Sequence, residues 1–244
     1  MRRIRTLGAL LTTATITFAA GCGSAGDEAG GDTKKSDSKQ GGGAVTVSDT
    51  KGKKKLDAPA KKVVALEWTY AEDLLSLGVT PAGVADSKGY DQWITAGPRI
   101  DKSVKDVGTR QEPSLETLKA LKPDLIITSK LRSSANYNQL QKIAPTLMFD
   151  PYAGGSEFDE MRTTLKTIGT AVGKEDEAAK ALDGLDDKIG KAKQKLAAGR
   201  KEGDKVTVAR GYTAEGAAVV EILTDSTIPG SLLPKLGLKN AWTG

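Results

Sequence analysis

Between residues 62 and 150 the chain runs through short apolar segments, each followed by a stretch of different period. Lys62–Leu66 ("KVVAL") reads as a buried strand, after which Leu and Ala recur at helical spacing from Thr69 to Leu77 until Gly78 stops them. "VTPAGVA" (79–85) predicts a second short strand entered through Pro81, and "KDVGTRQEP" (105–113) a third with a turn. "KPDLIITS" (122–129) and "PTLMFD" (145–150) are two more buried strands. Ser114 is placed to cap a helix through Leu121, and Asn136–Ile143 reads as another helix. "SKGYDQWITAGPRI" (87–100) has no period and is expected as an irregular loop carrying Tyr90 and Trp93. Strands alternating with helices predict a parallel, helix-covered sheet, so residues 44–155 are expected to form an α/β lobe.

The pattern then changes. Residues 156–200 are helical almost throughout, broken only around Gly173, and read as connecting helices. "DKVTVARGY" (204–212) and "AAVVEIL" (217–223) predict strands of a second α/β lobe over residues 201–244, and "SLLPKLGLKNAWTG" (231–244) a helix. Two strands and one helix do not close a sheet of ordinary size, so this lobe is expected to be incomplete and the chain part of a longer protein.

The N-terminal residues look different again. Residues 1–21 combine Arg2, Arg3 and Arg5 with a short apolar run that ends in small residues directly before Cys22. That outline is a secretory signal, too short and Thr-rich to span a membrane. "FAAGC" resembles a bacterial lipoprotein signal, which implies lipidation of Cys22 and a protein held on the outer face of the cytoplasmic membrane. Cys22 is the only cysteine and has no disulfide partner in the chain. Residues 22–43 are Gly, Ser, Asp and Lys with no apolar side chain larger than Ala beyond Cys22, and read as a flexible tether with a reach of about 25 Å. Removing the three arginines of the signal lowers the formal charge from +5 to +2, which gives no nucleic-acid footprint. The lysine runs "TKK" and "KGKKK" are expected near anionic lipid headgroups.

Composition narrows the chemistry. There is no histidine, and the single cysteine is assigned to the lipid. Zinc and haem iron normally draw on those side chains, and no calcium-loop pattern is present, so no metal is expected to be bound directly by protein ligands. Nor is there a G-x-S-x-G or Walker pattern, so an enzyme is not expected and no catalytic residues or cofactor are assigned. A metal would arrive already wrapped in a chelator. Holding such a complex takes aromatic walls and a cation for its oxygens. Trp68, Trp93 and Tyr90 lie where strand ends meet helix starts, the side on which open α/β sheets bind ligands. For Trp68 a second reading stays open, a hydrophobic staple on its own helix.

Three blocks, "VVALEWTYAEDLLSLGVTPAGVAD", "VGTRQEPSLETLKALKPDLIITS" and "GSLLPKLGLKNAW", resemble the ferric-siderophore substrate-binding proteins of ABC importers, most closely the hydroxamate type. The resemblance covers residues 56–244. It implies the class III periplasmic-binding-protein arrangement: two α/β lobes with parallel sheets, joined by a long backbone helix, with a ferric siderophore in the cleft between them. It implies that Arg110 bonds the iron-coordinating oxygens, where the alternative is a surface pair with Glu112 or Glu116. Related binders use a tyrosine after the "DLIITS" strand; here Arg132 and Tyr137 stand near that place. It further implies that Glu72, six residues before Gly78, docks on arginines of the membrane permease. Thr69 and Glu72 also have capping-box spacing, so cap and contact both remain open. The matching position before Gly237 is Ser231, which departs from the pattern. A monomeric transport receptor is thus expected. Cobalamin or another chelated metal is the alternative ligand, and a surface sensor or adhesion module the alternative role.

Overall fold

The computed structural model describes residues 43–242; the signal, Cys22 and nearly all of the tether lie outside the described residues. Two strands, β1 (Val45–Asp49) and β2 (Gly52–Leu56), open the chain as an antiparallel hairpin. The five-stranded parallel sheet follows, built from β3 (Val63–Ala65), β4 (Gly83–Val84), β5 (Lys105–Asp106), β6 (Leu125–Ser129) and β7 (Thr146–Phe149) in the order β5-β4-β3-β6-β7. Between them run α1 (Trp68–Ser76), α2 (Ser87–Trp93), α3 (Leu115–Leu121), α4 (Lys130–Ser133) and α5 (Tyr137–Gln141). The expected α/β lobe is therefore present. The stretch expected as loop at 87–100 is helical in its first half, because Asp86 in a left-handed conformation caps it through Gly89 N–H.

Strand alternation divides the core between the two faces of the sheet. Val63, Ala65, Val84, Leu125 and Ile127 face one side, where they meet Tyr70, Ala71 and Leu74 of α1 and the later helices. Val64, Leu66, Ala85 and Ile126 face the other, against Leu118 of α3 and Leu140 of α5. The lysine-rich segment 51–55 is ordered as the turn and strand of the hairpin. It buries Leu56 and turns Lys54 inward to Asp49 at 3.7 Å and to the Tyr137 hydroxyl at 2.7 Å. The hairpin turn also pairs with β7: Thr50 N–H donates to the Met148 carbonyl and Met148 N–H to Asp49 Oδ2. That covers the outer edge of the sheet, which would otherwise expose unpaired backbone groups.

Two long helices follow, α6 (Glu157–Val172) and α7 (Glu175–Ala198), separated by Gly173 in the left-handed conformation that ends a helix. They pack on one another through Gly169 against Ala178, and Arg162 clamps Asp186 bidentately at 2.7 and 2.9 Å. Beyond them lie β8 (Lys205–Val206), β9 (Ala209–Ala214), β10 (Ala217–Ile222), α8 (Ile228–Lys235) and β11 (Lys239–Asn240). Both long strands of this second lobe were expected in a parallel sheet; they form instead an antiparallel hairpin, and β8 pairs in parallel only with β11. The hairpin turn at Glu215–Gly216, both with positive φ, is too tight for a parallel crossover. No residue of β9 or β10 is buried.

Gly108 shapes the turn that carries Arg110. Its φ is +95°, and a Cβ there would lie 2.9 Å from the Ser114 nitrogen and 3.0 Å from the Glu112 carbonyl, both backbone atoms. Gly190, in the middle of α7, has open space around it. Gly108→Ala is expected to lose more than about 1 kcal/mol of stability, and Gly190→Ala to gain about 0.5–1 kcal/mol. Urea denaturation of the two variants checks both signs.

Candidate functional site

The sheet order reverses between β3 and β6. From β3 the chain first adds β4 and β5 on one side, then crosses back to add β6 and β7 on the other. At such a switch point the connections after the two central strands leave in opposite directions and open a crevice at the strands' carboxyl ends. Glu67 follows β3 and Ser129–Arg132 end and follow β6, so both face this crevice. A cavity of about 300 Å³ lies there. Glu67, Tyr70 and Asp73 line it from the β3 side, Ser129, Leu131 and Arg132 from β6, and Pro151 and Tyr152 from the end of β7. Glu157, Met161 and Thr164 of α6 form a further wall, and Ile228 at the start of α8 closes it from the second lobe.

Glu67 organises the polar part. Its Oε1 accepts from Arg132 Nε at 2.7 Å, and its Oε2 from Arg110 Nη1 at 3.2 Å. Only 13% of its side chain is exposed. Ser129 Oγ lies 3.4 Å from the same Oε1. The Arg110 guanidinium is also stacked over the Trp68 ring, 3.8 Å from the centroid, while the indole N–H is spent on the Ala85 and Asp86 carbonyls. The Arg110 Nε is buried and has no acceptor among the described residues.

Several expected site residues fall elsewhere. Arg110 pairs with Glu67, 43 positions back in sequence, and not with Glu112 or Glu116. Trp68 and Arg110 stand behind Glu67 rather than on the cavity wall, so Trp68 offers its face to the arginine. Tyr90 is fully buried and its hydroxyl donates to the Pro98 carbonyl, which removes it from any ligand surface. Tyr137 is 7% exposed, and its hydroxyl is taken by Lys54, Gln141 and the Thr146 carbonyl beside the β1–β2 hairpin. Both tyrosines are corrected from ligand groups to core. Trp93, at the end of α2, is 71% exposed and does not line the cavity. Of the predicted ligand residues, the cavity wall holds Arg132.

The capping box does not form. The helix starts one residue earlier than expected, with Glu67 at the cap position but its carboxylate turned to the arginines, so Thr69 already lies inside α1. Glu72 is half-buried, with Oε1 so close to Gly97 that a Cβ there would come within 2.5 Å; burial raises its carboxyl above the ordinary range. Ser231 Oγ donates to the Ile228 carbonyl on α8. Sequence reasoning missed Glu67, Asp73, Tyr152 and Glu157. The rule that sites gather at strand ends, applied to the first three residues after every strand, would have found Glu67 and Tyr152.

A model of the family described as Periplasmic binding protein matches residues 63–244. The chain belongs to that family. Fe(3+)-citrate-binding protein YfmC of Bacillus subtilis (strain 168) is 33% identical over 222 residues, 91% of this chain and 66% of that protein. Iron(3+)-hydroxamate-binding protein FhuD of Escherichia coli (strain K12) is 30% identical over 75% of this chain and 60% of that protein. The structure of Fe3+-Desferal-bound FhuD from Vibrio cholerae superposes with a TM-score of 0.66 at 29% identity, covering 75% of this chain and 68% of that one. The chain spans between 47% and 66% of the length of the curated relatives it matches. The expected class III architecture, an α/β lobe with a parallel sheet followed by long helices, is therefore the family fold.

One cavity residue gives the site a pH signature. Asp73 has no hydrogen-bond or ion-pair partner among the described residues, and burial, helped by the neighbouring Glu72, pushes its carboxyl from 3.8 up to about 7. Between those values the native state binds more protons than the unfolded chain, so stability falls as pH rises through the window. Asp73→Asn lacks that titration. Its stability advantage over the parent should grow from about pH 4 to about pH 7, measured by chemical denaturation, and level off above; a difference that stays constant with pH would contradict the burial of this carboxylate.

Proposed function

We propose that this chain carries the ligand-binding lobe of a receptor that takes a ferric siderophore and delivers it to an ABC permease, without chemistry of its own. The observation that carries the reading is the two-arginine, one-glutamate cluster set into the switch-point crevice of a periplasmic-binding-protein fold. Two guanidinium groups supply fixed donors for the partly anionic oxygens around a chelated ferric ion. Arg132 reaches the ligand directly, and Arg110 reaches it once Glu67 yields one of its two partners. Tyr70, Leu131, Tyr152 and Met161 supply the apolar walls for the organic shell. The hydroxamate and citrate relatives support the ferric-chelate class. The N-terminal signal, with Cys22 in place for a lipid, supports a receptor tethered outside the cytoplasmic membrane.

Tryptophan fluorescence tests this reading. Ferric hydroxamates should quench the 244-residue chain, since Trp68 is stacked on a cluster arginine. Arg132→Ala should weaken binding by at least about tenfold, equivalent to ~1.4 kcal/mol. A response to cobalamin with none to any ferric chelate would transfer the role to the alternative ligand.

Glu72 is proposed as the permease contact on this lobe. It lies on the first helix after β3 and makes no cap bond, which supports a free role, although the loop at Ile94–Gly97 must move aside for it to reach out. Glu72→Ala should reduce siderophore uptake in cells several-fold while ligand affinity holds. Equal loss of both would return Glu72 to a structural role.

A further inference from the structure

The charge on the cavity wall is the opposite of what an anion receptor needs. Among the described residues, Glu67, Asp73 and Glu157 line it, against the single cation Arg132. Glu67 and Arg132 neutralise one another at 2.7 Å, and Arg110 reaches the same glutamate from behind the wall. Glu157 spends one oxygen on the backbone N–H of Ile228, which pins the second lobe in place. Asp73 is left. The residue is partly buried, lines the cavity beside Tyr70, and finds no donor for its carboxylate among the described residues. A partly desolvated carboxylate that lines a cavity and has no protein donor is open to a ligand cation, which offsets the cost of its desolvation. Tyr152, 63% exposed at the rim, adds an aromatic face that suits the same kind of group.

We infer that the cleft selects ferric chelates of zero or positive net charge, and that Asp73 receives a cationic arm of the ligand, an ammonium or guanidinium. This rests on the receptor reading above and assigns the ligand's charge class within it. A polycarboxylate chelate would set its spare carboxylates against Glu67, Asp73 and Glu157 and would be disfavoured, even though citrate binders are among the relatives. Glu67 is then a specificity residue as well as a positioning one, because it cancels the arginine charge that a polyanion would seek.

The test uses three probes on the full chain, read by tryptophan quenching: the ferric Desferal complex with its pendant ammonium, the same complex with that amine acetylated, and ferric dicitrate. The ammonium complex should bind about tenfold tighter than its acetylated form, and ferric dicitrate more weakly than either. In Asp73→Asn the ratio between the two hydroxamate complexes should fall to within about twofold. Equal binding of the two by the parent chain, or a ratio that survives in Asp73→Asn, overturns the inference. Tight binding of ferric dicitrate alone keeps the receptor and overturns the charge class. No response to any of the three overturns the receptor reading and the inference together. The comparison of the two hydroxamates in the parent chain stands whether or not the variant folds.

Discussion

Glu67 is the point on which the site depends. It sits one residue beyond the buried Leu66 and one before α1, so its backbone is fixed by the sheet on one side and the helix on the other. Two arginines 43 and 65 positions away, one from the turn after β5 and one from α4, converge on its carboxylate. A partly buried charge needs compensation from its surroundings, and each of these three groups compensates the others. Were Glu67 absent, two guanidinium groups would share a crevice with no carboxylate between them. Their repulsion would splay the loops after β5 and β6, and the crevice would lose its shape.

The parallel strands of the first lobe and the helices α1, α3 and α5 were legible because each carries its own signal, whereas the β1–β2 hairpin, α2 and α4 were not. "DLIITS" is apolar without period and buries every residue of β6, and Ser114 accepts from Thr117 N–H where the capping rule places it. The site was legible only in outline. The strand-end rule pointed to the side of the sheet on which the cavity lies, and the family pattern singled out Arg110 and Arg132, which meet at Glu67. What failed was the assignment of aromatics. Tyr90 and Tyr137 sit in polar sequence, yet each hydroxyl finds a partner outside its own helix, the Pro98 carbonyl eight residues on for one and Lys54, 83 residues back, for the other. Once the hydroxyl is satisfied the ring is free to be core, and no local pattern announces such a partner. Glu67 was overlooked for the same reason: its role consists of two long-range pairs.

The second lobe was read less well because its signals are weak. β9 and β10 have apolar residues, but the tight turn between them decides the pairing, and the hairpin buries nothing on either face. What joins this lobe to the first is local and polar. Ser226 accepts from Glu157 N–H, Ile228 donates to the Glu157 carboxylate, and Lys235 lies over the Phe158 ring at 4.8 Å. The first turn of α6 therefore serves both lobes, and Glu157 both closes the cavity and ties its far wall.

Arg110 shows how position is separated from pairing here. Its guanidinium is held by one carboxylate oxygen and by the Trp68 face, while its Nε stays buried without an acceptor. Such a donor costs about 1–3 kcal/mol unless something compensates, and stacking on tryptophan supplies part of that, of order 1 kcal/mol. The arrangement fixes the plane of the guanidinium by an apolar contact rather than by hydrogen bonds. The Trp68 ring and the Glu67 carboxylate thus hold the guanidinium from two sides. Lysine in the same place would pair with Glu67 but lacks a planar guanidinium to lay against the indole. The Trp68 indole is itself pinned by two carbonyls just beyond β4, so the surface on which the guanidinium rests is fixed by the sheet.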